Sequence, residues 1–255
     1  MSLKRVLYVV GIMLFVVALV FGSYLFLHRT KKVVQKSNAA QTAEEQAEQK
    51  GTPDNQADQE AAFDKKAHSI DDPASIWVVV NKTRPLNPVQ YAPTDLVAVG
   101  NAQQMRKESA SALATLIAAA KAQKLSIAPL SGYRSYATQV AVYNNEVAKY
   151  GQATADSESA KPGTSEHQTG WAVDVGGGGC GIEDCFGNTA EGKWLAANAF
   201  QYGFIIRYPA DKVNVTGYRA EPWHIRYIGT DLSQEMHAQG ITTLEEFFGL
   251  PPYKS

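Results

Sequence analysis

Two histidines and one aspartate stand in local patterns that could form a metal site. His167 precedes Asp174 across Gly170 and the start of an apolar segment that alternates like a β-strand. His224 follows Pro222 in a second strand-like segment, and the proline excludes a helix interior there. Two histidines and a carboxylate match catalytic zinc sites, which have three protein ligands and one open position. The spacing alone also allows the alternative that both histidines are ordinary structural residues.

The alternation of side chains along these two segments indicates which residues share a face. If Trp171 and Val173 face a core, Asp174 points the other way. A carboxylate inside an apolar strand is unfavourable unless it is paired or bound to a metal. In the second segment, His224 lies on the face opposite Trp223 by the same rule. Glu221 could then serve as the general base that activates water at a metal site.

The elements that must position these residues are helices and strands without a regular alternation. The patterns predict a strand or buried extended segment at 75–80 and strands at 126–131, 171–175, 204–208 and 223–228. Helices are predicted at 103–124, 135–150 and 189–202, with a capping box at 243–246 that opens a last short helix. This order favours an α+β fold with a central, mainly antiparallel sheet and surrounding helices.

Composition narrows the class of protein. The 255 residues carry 24 Lys and Arg against 25 Asp and Glu, a net charge of -1. This balance argues against a nucleic-acid partner bound through a bulk positive field. A hydrophobic content of 45% is enough for a core, and two cysteines are too few for a disulfide scaffold or a four-cysteine zinc site.

The chain divides into three unlike segments: 1–36, 37–73 and 74–255. The first contains an uncharged apolar run at 6–27, which as a helix would extend about 33 Å and cross a bilayer core. A cleaved signal peptide is the alternative, but its apolar region is usually shorter. We therefore expect one transmembrane helix that stays attached as a membrane anchor.

The other two segments differ in their capacity to fold. Residues 37–73 contain nine acids, three bases and few large apolar side chains, so they are expected to form a disordered tether. Residues 74–255 have the texture of one globular domain.

The charges beside the apolar run do not favour an external domain. Two bases precede the run, whereas Arg29, Lys31, Lys32 and Lys36 follow it. By the positive-inside rule alone, the domain would lie on the cytoplasmic side.

Three motifs in the domain resemble one enzyme family. They are Ser-Gly-Tyr-Arg-Ser at 131–135, Ser-Ala-Lys-Pro-Gly-Thr-Ser-Glu-His-Gln-Thr-Gly-Trp-Ala-Val-Asp at 159–174 and Glu-Pro-Trp-His at 221–224. Together they resemble the VanY-type D-alanyl-D-alanine carboxypeptidases, and they are equally similar to the related L,D-carboxypeptidases. Both groups are zinc peptidases related to the VanX dipeptidases. The resemblance covers nearly all of the domain and none of the anchor or tether.

The resemblance implies a role for each matching residue. It implies one zinc ion per chain, with the ligands His167, Asp174 and His224. Glu221 becomes the base that activates water and later protonates the leaving amine, and Arg134 polarises the scissile carbonyl. The residues implied to bind the terminal D-alanine of the substrate are Ser165, Gln139 and Tyr208.

Two features depart from the family pattern or add to it. Lys161 stands where the family often has arginine, which keeps the charge and loses the bidentate geometry. Cys180 and Cys185 lie inside a glycine-rich insert at 176–187, where they flank Gly-Ile-Glu-Asp, and they would form a disulfide outside the cytoplasm. A zinc-thiolate role for the two cysteines is the alternative.

The expected function is that of a membrane-anchored zinc carboxypeptidase. It would remove the C-terminal D-alanine from peptidoglycan stem peptides or their precursors, with L,D-cleavage of tetrapeptides as the alternative. Because that substrate is external, we expect a single-pass membrane protein with the domain outside the cytoplasm, despite the flanking charges. A non-catalytic wall-binding or metal-sensing domain is a third possibility, but such a domain needs neither Glu221 nor Arg134. The sequence leaves the oligomeric state open.

Overall fold

A four-stranded antiparallel sheet lies at the centre of the described part of the chain, residues 62–254 of the computed structural model. Its strands are β3 (Ile127–Ser131), β4 (Ala172–Gly177), β5 (Phe204–Ile206) and β6 (His224–Tyr227), in the order β3-β4-β6-β5. A separate antiparallel ribbon consists of β1 (Leu96–Gly100) and β2 (Gln103–Arg106). The predicted α+β fold with an antiparallel sheet is confirmed for this part of the chain.

Seven α-helices surround the sheet within residues 62–254. They are α1 (Lys107–Ala122), α2 (Tyr136–Tyr150), α3 (Gln152–Glu158), α4 (Ala190–Asn198), α5 (Val213–Thr216), α6 (Thr230–Ala238) and α7 (Leu244–Phe247). Side-chain caps begin three of them, including the capping box predicted at 243–246. The Oγ of Ser135 accepts the N–H of Thr138, and Thr189 and Thr243 cap α4 and α7 in the same way.

Two sequence predictions need correction. The helix predicted at 103–124 begins only at Lys107, because Gln103–Arg106 pairs with Leu96–Gly100 as the ribbon. The turn between the two ribbon strands uses positive φ at Asn101 and Ala102, a conformation that helical periodicity does not reveal. The segment at 75–80 joins neither sheet, so the strand alternative is wrong; residues 75–77 form turns, and residues 77–80 are buried.

The core lies where the alternation places it. Trp171, Val173 and Val175 of the β4 region are buried in one hydrophobic cluster with Ile225 of β6. Leu116 of α1 packs in the same cluster. The apolar face of β4 therefore points into the core, as the period of two along the strand predicts.

Residues 62–73 belong to the packed domain, although composition assigned them to the tether. Phe63 stacks on Trp77 with 5.6 Å between ring centroids, and Lys65 donates a 2.7 Å hydrogen bond to the carbonyl of Phe247. Asp71 forms a 2.6 Å ion pair with Arg84. The packed structure thus begins before residue 74.

The predicted anchor at 6–27 and the tether before residue 62 lie outside the described residues. Among residues 62–254, no helix is both long and apolar enough to cross a membrane.

Candidate active site

The register of the two central strands brings together the second and third predicted metal ligands. Asp174 on β4 lies directly opposite His224 on β6. Side chains at directly opposed positions of antiparallel strands have Cβ atoms about 4.5–5.5 Å apart. His167 lies in a 3₁₀ turn, Glu166–Thr169, which Gly170 ends in the left-handed conformation just before β4. Two consecutive segments of the chain and the more distant strand β6 therefore meet at one point.

The three side chains face one another at the distances of a metal site. The Nε2 of His167 lies 3.2 Å from Asp174 Oδ2, and the Nδ1 of His224 lies 3.0 Å from Asp174 Oδ1. All three residues are buried. The two imidazole rings are nearly perpendicular, with centroids 5.0 Å apart.

These atoms fit a zinc ion better than they fit a hydrogen-bonded cluster. One donor atom from each residue lies within 4.8 Å of the others. Asp174 Oδ1 is buried and has no hydrogen-bond partner among the described residues, despite its short distance to His224. A buried carboxylate oxygen without a partner is unfavourable unless a cation binds it. When bound here, zinc would supply a Lewis acid for a carbonyl oxygen and make water nucleophilic at neutral pH.

Each histidine is oriented by its other ring nitrogen. The Nδ1 of His167 lies 2.9 Å from the carbonyl oxygen of Gly132. A Cβ at Gly132 would lie 2.4 Å from the backbone oxygen of Gln104, so this carbonyl can lie here only because the residue is glycine. The Nε2 of His224 lies 3.3 Å from Glu166 Oε2. Such partners set the tautomer and the ring orientation of metal-binding histidines.

Glu221 lies beside the three metal-binding side chains, where a general base is needed. Its Oε2 is 3.6 Å from His224 Nδ1, and its backbone N–H donates to the carbonyl of Tyr208 at 2.9 Å. Burial raises the pKa of Glu221 to about 7. A carboxylate with a pKa near neutrality can accept a proton from water and return it to a leaving group.

Arg134 is held in place by three hydrogen bonds. Its Nη1 donates to Gln139 Oε1 and its Nη2 to Ser131 Oγ, both at 3.0 Å. Its backbone N–H donates to the carbonyl of His167 at 3.1 Å. Burial lowers the pKa of Arg134, which the charges of Asp174 and Glu221 oppose, and a guanidinium stays protonated in proteins. A fixed cation at this place can stabilise a developing oxyanion.

The structure shows which groups the side chain of Gln139 contacts, which the sequence alone does not. Its side chain is fully buried, and its amide is engaged at both ends, by Arg134 and by the carbonyl of Ala160 at 2.8 Å. The observed contacts of Gln139 therefore position Arg134, while its predicted contact with substrate remains a prediction.

All eight predicted site residues line one cavity of about 340 Å³. They are Arg134, Gln139, Ser165, His167, Asp174, Tyr208, Glu221 and His224. Ser165 and Tyr208 are buried, and the ring of Tyr208 lies 4.9 Å from that of His224. The cavity thus combines a three-ligand metal site, a general base and a fixed cation. These are the functional groups that metal-assisted amide hydrolysis requires.

Comparison with known protein families identifies the class of enzyme that has this set of site residues. Residues 102–230 match the family model described as VanY, D-alanyl-D-alanine carboxypeptidase. The chain belongs to the VanY family. This VanY-family protein is a zinc-dependent carboxypeptidase. The family match therefore confirms the resemblance that the motifs indicate and the zinc ion that the resemblance implies. A non-catalytic binding domain, the third possibility from the sequence, is not supported.

Individual relatives agree with the family. "Putative carboxypeptidase YodJ" of Bacillus subtilis (strain 168) is 42% identical over 191 residues, which cover 71% of this chain and 69% of the relative. The LdcB LD-carboxypeptidase structure superposes with a TM-score of 0.65 at 42% identity and covers 69% of this chain and 87% of its own. The structure of the D,D-pentapeptidase VanY mutant in complex with Zn(II) superposes with a TM-score of 0.59 at 33% identity. The match covers 67% of this chain and 97% of the mutant's chain.

Sequence reasoning missed a network of buried charges that reaches His224 through Glu166. Glu166, Arg207, Arg226 and Glu245 are each at most 1% exposed in this VanY-family enzyme. The available signal was the presence of Arg207 and Arg226 in apolar, strand-like segments, where a charge must be paired. A single sequence gives no indication of which of these charges meet.

The two cysteines form a disulfide in the structure. Sulfurs bonded to each other are not thiolates, so the alternative zinc-thiolate role is wrong for this state. The loop that the disulfide closes carries Ile182 to the lining of the active-site cavity.

Replacing Arg134 with alanine tests the assigned oxyanion cation. We expect kcat to fall by about 10²–10³-fold, the usual effect of losing one such donor, while zinc content is unchanged. Arg219 provides a matched control, because it lines the same cavity but is 45% exposed and pairs with Glu158 and Asp184. Steady-state kinetics with Arg219→Ala should show less than about a tenfold loss, since exposed ion pairs contribute little. Equal losses in the two variants would argue against a special role for Arg134.

The pKa of Glu221 predicts the acid side of the pH profile. The base must be ionised, so kcat/KM should fall as the pH drops and Glu221 becomes protonated. Burial raises the pKa to about 7, and a nearby divalent cation stabilises the carboxylate and lowers the pKa. The midpoint of the acid limb in a kcat/KM profile should therefore lie at or below about pH 7. A midpoint clearly above that value, or a profile that is flat down to about pH 4, would contradict Glu221 as the base.

Proposed function

We propose that this enzyme is a D,D-carboxypeptidase that removes the C-terminal D-alanine from peptidoglycan stem peptides. The observation that carries the proposal is the meeting of His167, Asp174, His224, Glu221 and Arg134 in one cavity. The description of the matching family and the D,D-pentapeptidase neighbour support the choice of substrate.

An exopeptidase must also bind the free carboxylate of its substrate, which requires hydrogen-bond donors in the cavity. The hydroxyl of Tyr218 is buried, belongs to a cavity-lining residue and has no hydrogen-bond partner among the described residues. Ser165 offers a second hydroxyl in the same lining. We assign these two hydroxyls to the terminal D-alanine, in addition to the contacts that the resemblance implies for Gln139 and Tyr208.

L,D-cleavage of tetrapeptide stems is the second candidate. One observation favours it: the LdcB LD-carboxypeptidase is 42% identical to this chain, against 33% for the D,D-pentapeptidase. The two reactions differ in the residue that contributes the scissile carbonyl, and both use the same zinc, base and cation.

A direct comparison of two substrates separates the candidates. The zinc-loaded enzyme would be incubated with matched muramyl pentapeptide and tetrapeptide, and mass spectrometry would follow the loss of one alanine. The D,D proposal expects a higher kcat/KM for the pentapeptide. A higher kcat/KM for the tetrapeptide would overturn it in favour of L,D-cleavage.

We further propose that residues 6–27 anchor the enzyme in the cell membrane as a single pass, with the catalytic domain outside the cytoplasm. The apolar length of this run, the external location of stem peptides and the Cys180–Cys185 disulfide support the proposal. The basic residues after the run count against this orientation.

Fusion of alkaline phosphatase to the C-terminus tests the orientation, because this reporter is active only where its own disulfides form. Activity of the fusion supports an external domain, and an inactive but intact fusion would contradict it. Membrane fractionation of a chain that lacks residues 1–36 tests the anchor. We expect this variant to be released from the membrane fraction and the full-length chain to be retained in it. If the protein expressed from the full-length sequence were instead shortened at its N-terminus and free of membranes, the apolar run would be a cleaved signal peptide.

A further inference from the structure

Two buried arginines hold the carboxylate of Glu166 by one of its oxygens. Glu166 Oε1 accepts from Arg207 Nε at 2.7 Å and from Arg226 Nη1 at 2.8 Å. All three side chains are completely inaccessible to solvent. Two cations on one oxygen keep the carboxylate ionised in the interior, where it would otherwise be strongly disfavoured.

The second oxygen of Glu166 faces a zinc ligand. Glu166 Oε2 lies 3.3 Å from His224 Nε2, while the Nδ1 of the same ring lies 3.0 Å from Asp174. The imidazole is therefore placed between two carboxylates, one on each ring nitrogen. With Nε2–H donated to Glu166, the lone pair of Nδ1 points toward the metal position.

The arginines are in turn tied to distant parts of the fold. Arg207 makes a bidentate pair with Glu245, at 2.9 and 2.7 Å, and Glu245 also accepts from Asn81 at 2.9 Å. Arg226 Nη2 donates to the carbonyls of Ile76 and Val78, both at 2.9 Å. The two arginines thus connect Glu166 to α7 and to the segment at 76–78.

The other zinc histidine has a different kind of partner. His167 donates its second nitrogen to a backbone carbonyl, that of Gly132, whereas His224 has a carboxylate. A carboxylate partner fixes the ring and also raises the basicity of the metal-binding nitrogen. The two ligands are therefore supported unequally.

We propose that Glu166 is a positioning residue of the zinc centre, which holds His224 with Nδ1 toward the metal by accepting a hydrogen bond from Nε2. Glu166 acts through the ring of His224, whose Nε2 it faces at 3.3 Å. This role depends on the zinc centre alone, and it holds whichever stem peptide the enzyme cleaves.

Glu245 offers a matched control for a test by substitution. It is also a fully buried carboxylate, and it also pairs with Arg207, but it contacts no zinc ligand. Glu166→Gln and Glu245→Gln each remove one buried negative charge from the same network. If Glu166 had only a structural role, both substitutions would lower the stability of the protein, and neither would weaken zinc binding more than the other.

Zinc affinity of the full chain, measured by competition with a chromogenic chelator, gives the first result. We expect Glu166→Gln to raise the zinc Kd by about 10–100-fold, the usual effect of losing an outer partner, and Glu245→Gln to change it by less than about threefold. The visible spectrum of the cobalt-substituted protein should shift in Glu166→Gln and stay unchanged in Glu245→Gln. An unchanged Kd in Glu166→Gln, or equal increases in both variants, would overturn the proposal.

A measurement on the unmodified protein decides the matter if Glu166→Gln fails to fold. In the zinc-loaded chain with ¹⁵N-labelled histidine, we expect His224 to carry its proton on Nε2, with a downfield proton signal that exchanges slowly with solvent. An Nε2 of His224 that binds zinc, or an Nε2–H that exchanges as an exposed proton does, would overturn the role of Glu166. Neither result depends on turnover, so failure of this proposal and failure of the proposed substrate can be told apart.

Discussion

Replacement of Glu221 with glutamine should lower kcat/KM by about 10²–10⁴-fold, the usual contribution of a general acid–base group, while zinc remains bound. Glutamine keeps the shape of the side chain and loses the ability to take a proton from water and return it to the leaving amine. The loss should lie near the upper end of that range, because Glu221 serves both proton transfers. Metal analysis and steady-state kinetics on the same sample measure the two quantities together.

Glu158 provides the control for this substitution. It lines the same cavity, but it pairs with Arg219 at 3.1 Å and its side chain is 47% exposed. Glu158→Gln should therefore change kcat/KM by less than about tenfold. If Glu221→Gln also lost less than tenfold, another group would have to be the base, and the assigned chemistry would be wrong.

Replacement of Asp174 with alanine should abolish measurable zinc binding and, with it, turnover. Asp174 is the central member of the ligand set, because its two oxygens face His167 and His224 separately. Loss of an outer partner alone costs about 10–100-fold in metal affinity, so loss of this ligand should cost more. The variant should also lose the stabilisation that zinc confers, about 4 kcal/mol at a free concentration of 1,000 times the Kd.

Thermal unfolding with and without zinc tests this expectation. The unmodified protein should show a higher Tm in zinc, whereas Asp174→Ala should show none of this increase. Asp184→Ala, which removes a 74% exposed carboxylate near Arg219, should retain the increase in full. Normal zinc stabilisation of Asp174→Ala would contradict the assigned ligand set.

The strands that carry the ligands could be predicted because they alternate clearly. The period of two in the segments of Asp174 and His224 separates an apolar face from a polar one, and the observed register sets these two residues opposite each other. Helix α2 could be predicted for a similar reason, since Ser135 caps its start and Gly151 ends it with a φ of 83°. Strong local signals therefore account for most of the scaffold of the site.

The remaining features depend on pairings that a single sequence does not reveal. The ribbon strand Gln103–Arg106 reads as helix until its partner strand is known. Glu166 meets Arg207 and Arg226 across 41 and 60 residues, and no local pattern specifies those partners. Composition alone assigns residues 62–73 to the tether, because it does not register the stacking of Phe63 on Trp77.

Release of D-alanine by the purified full chain shows directly whether the cavity is the active site of a zinc carboxypeptidase. The protein would be incubated with muramyl pentapeptide and tetrapeptide, then stripped of metal by a chelator and finally reloaded with zinc, while mass spectrometry follows each peptide. We expect that one terminal alanine is released from at least one peptide, that release stops on chelation and that added zinc restores it. Release that persists after complete metal removal, or no release from either peptide by the zinc-loaded protein, would contradict the assignment of this cavity as a zinc carboxypeptidase site.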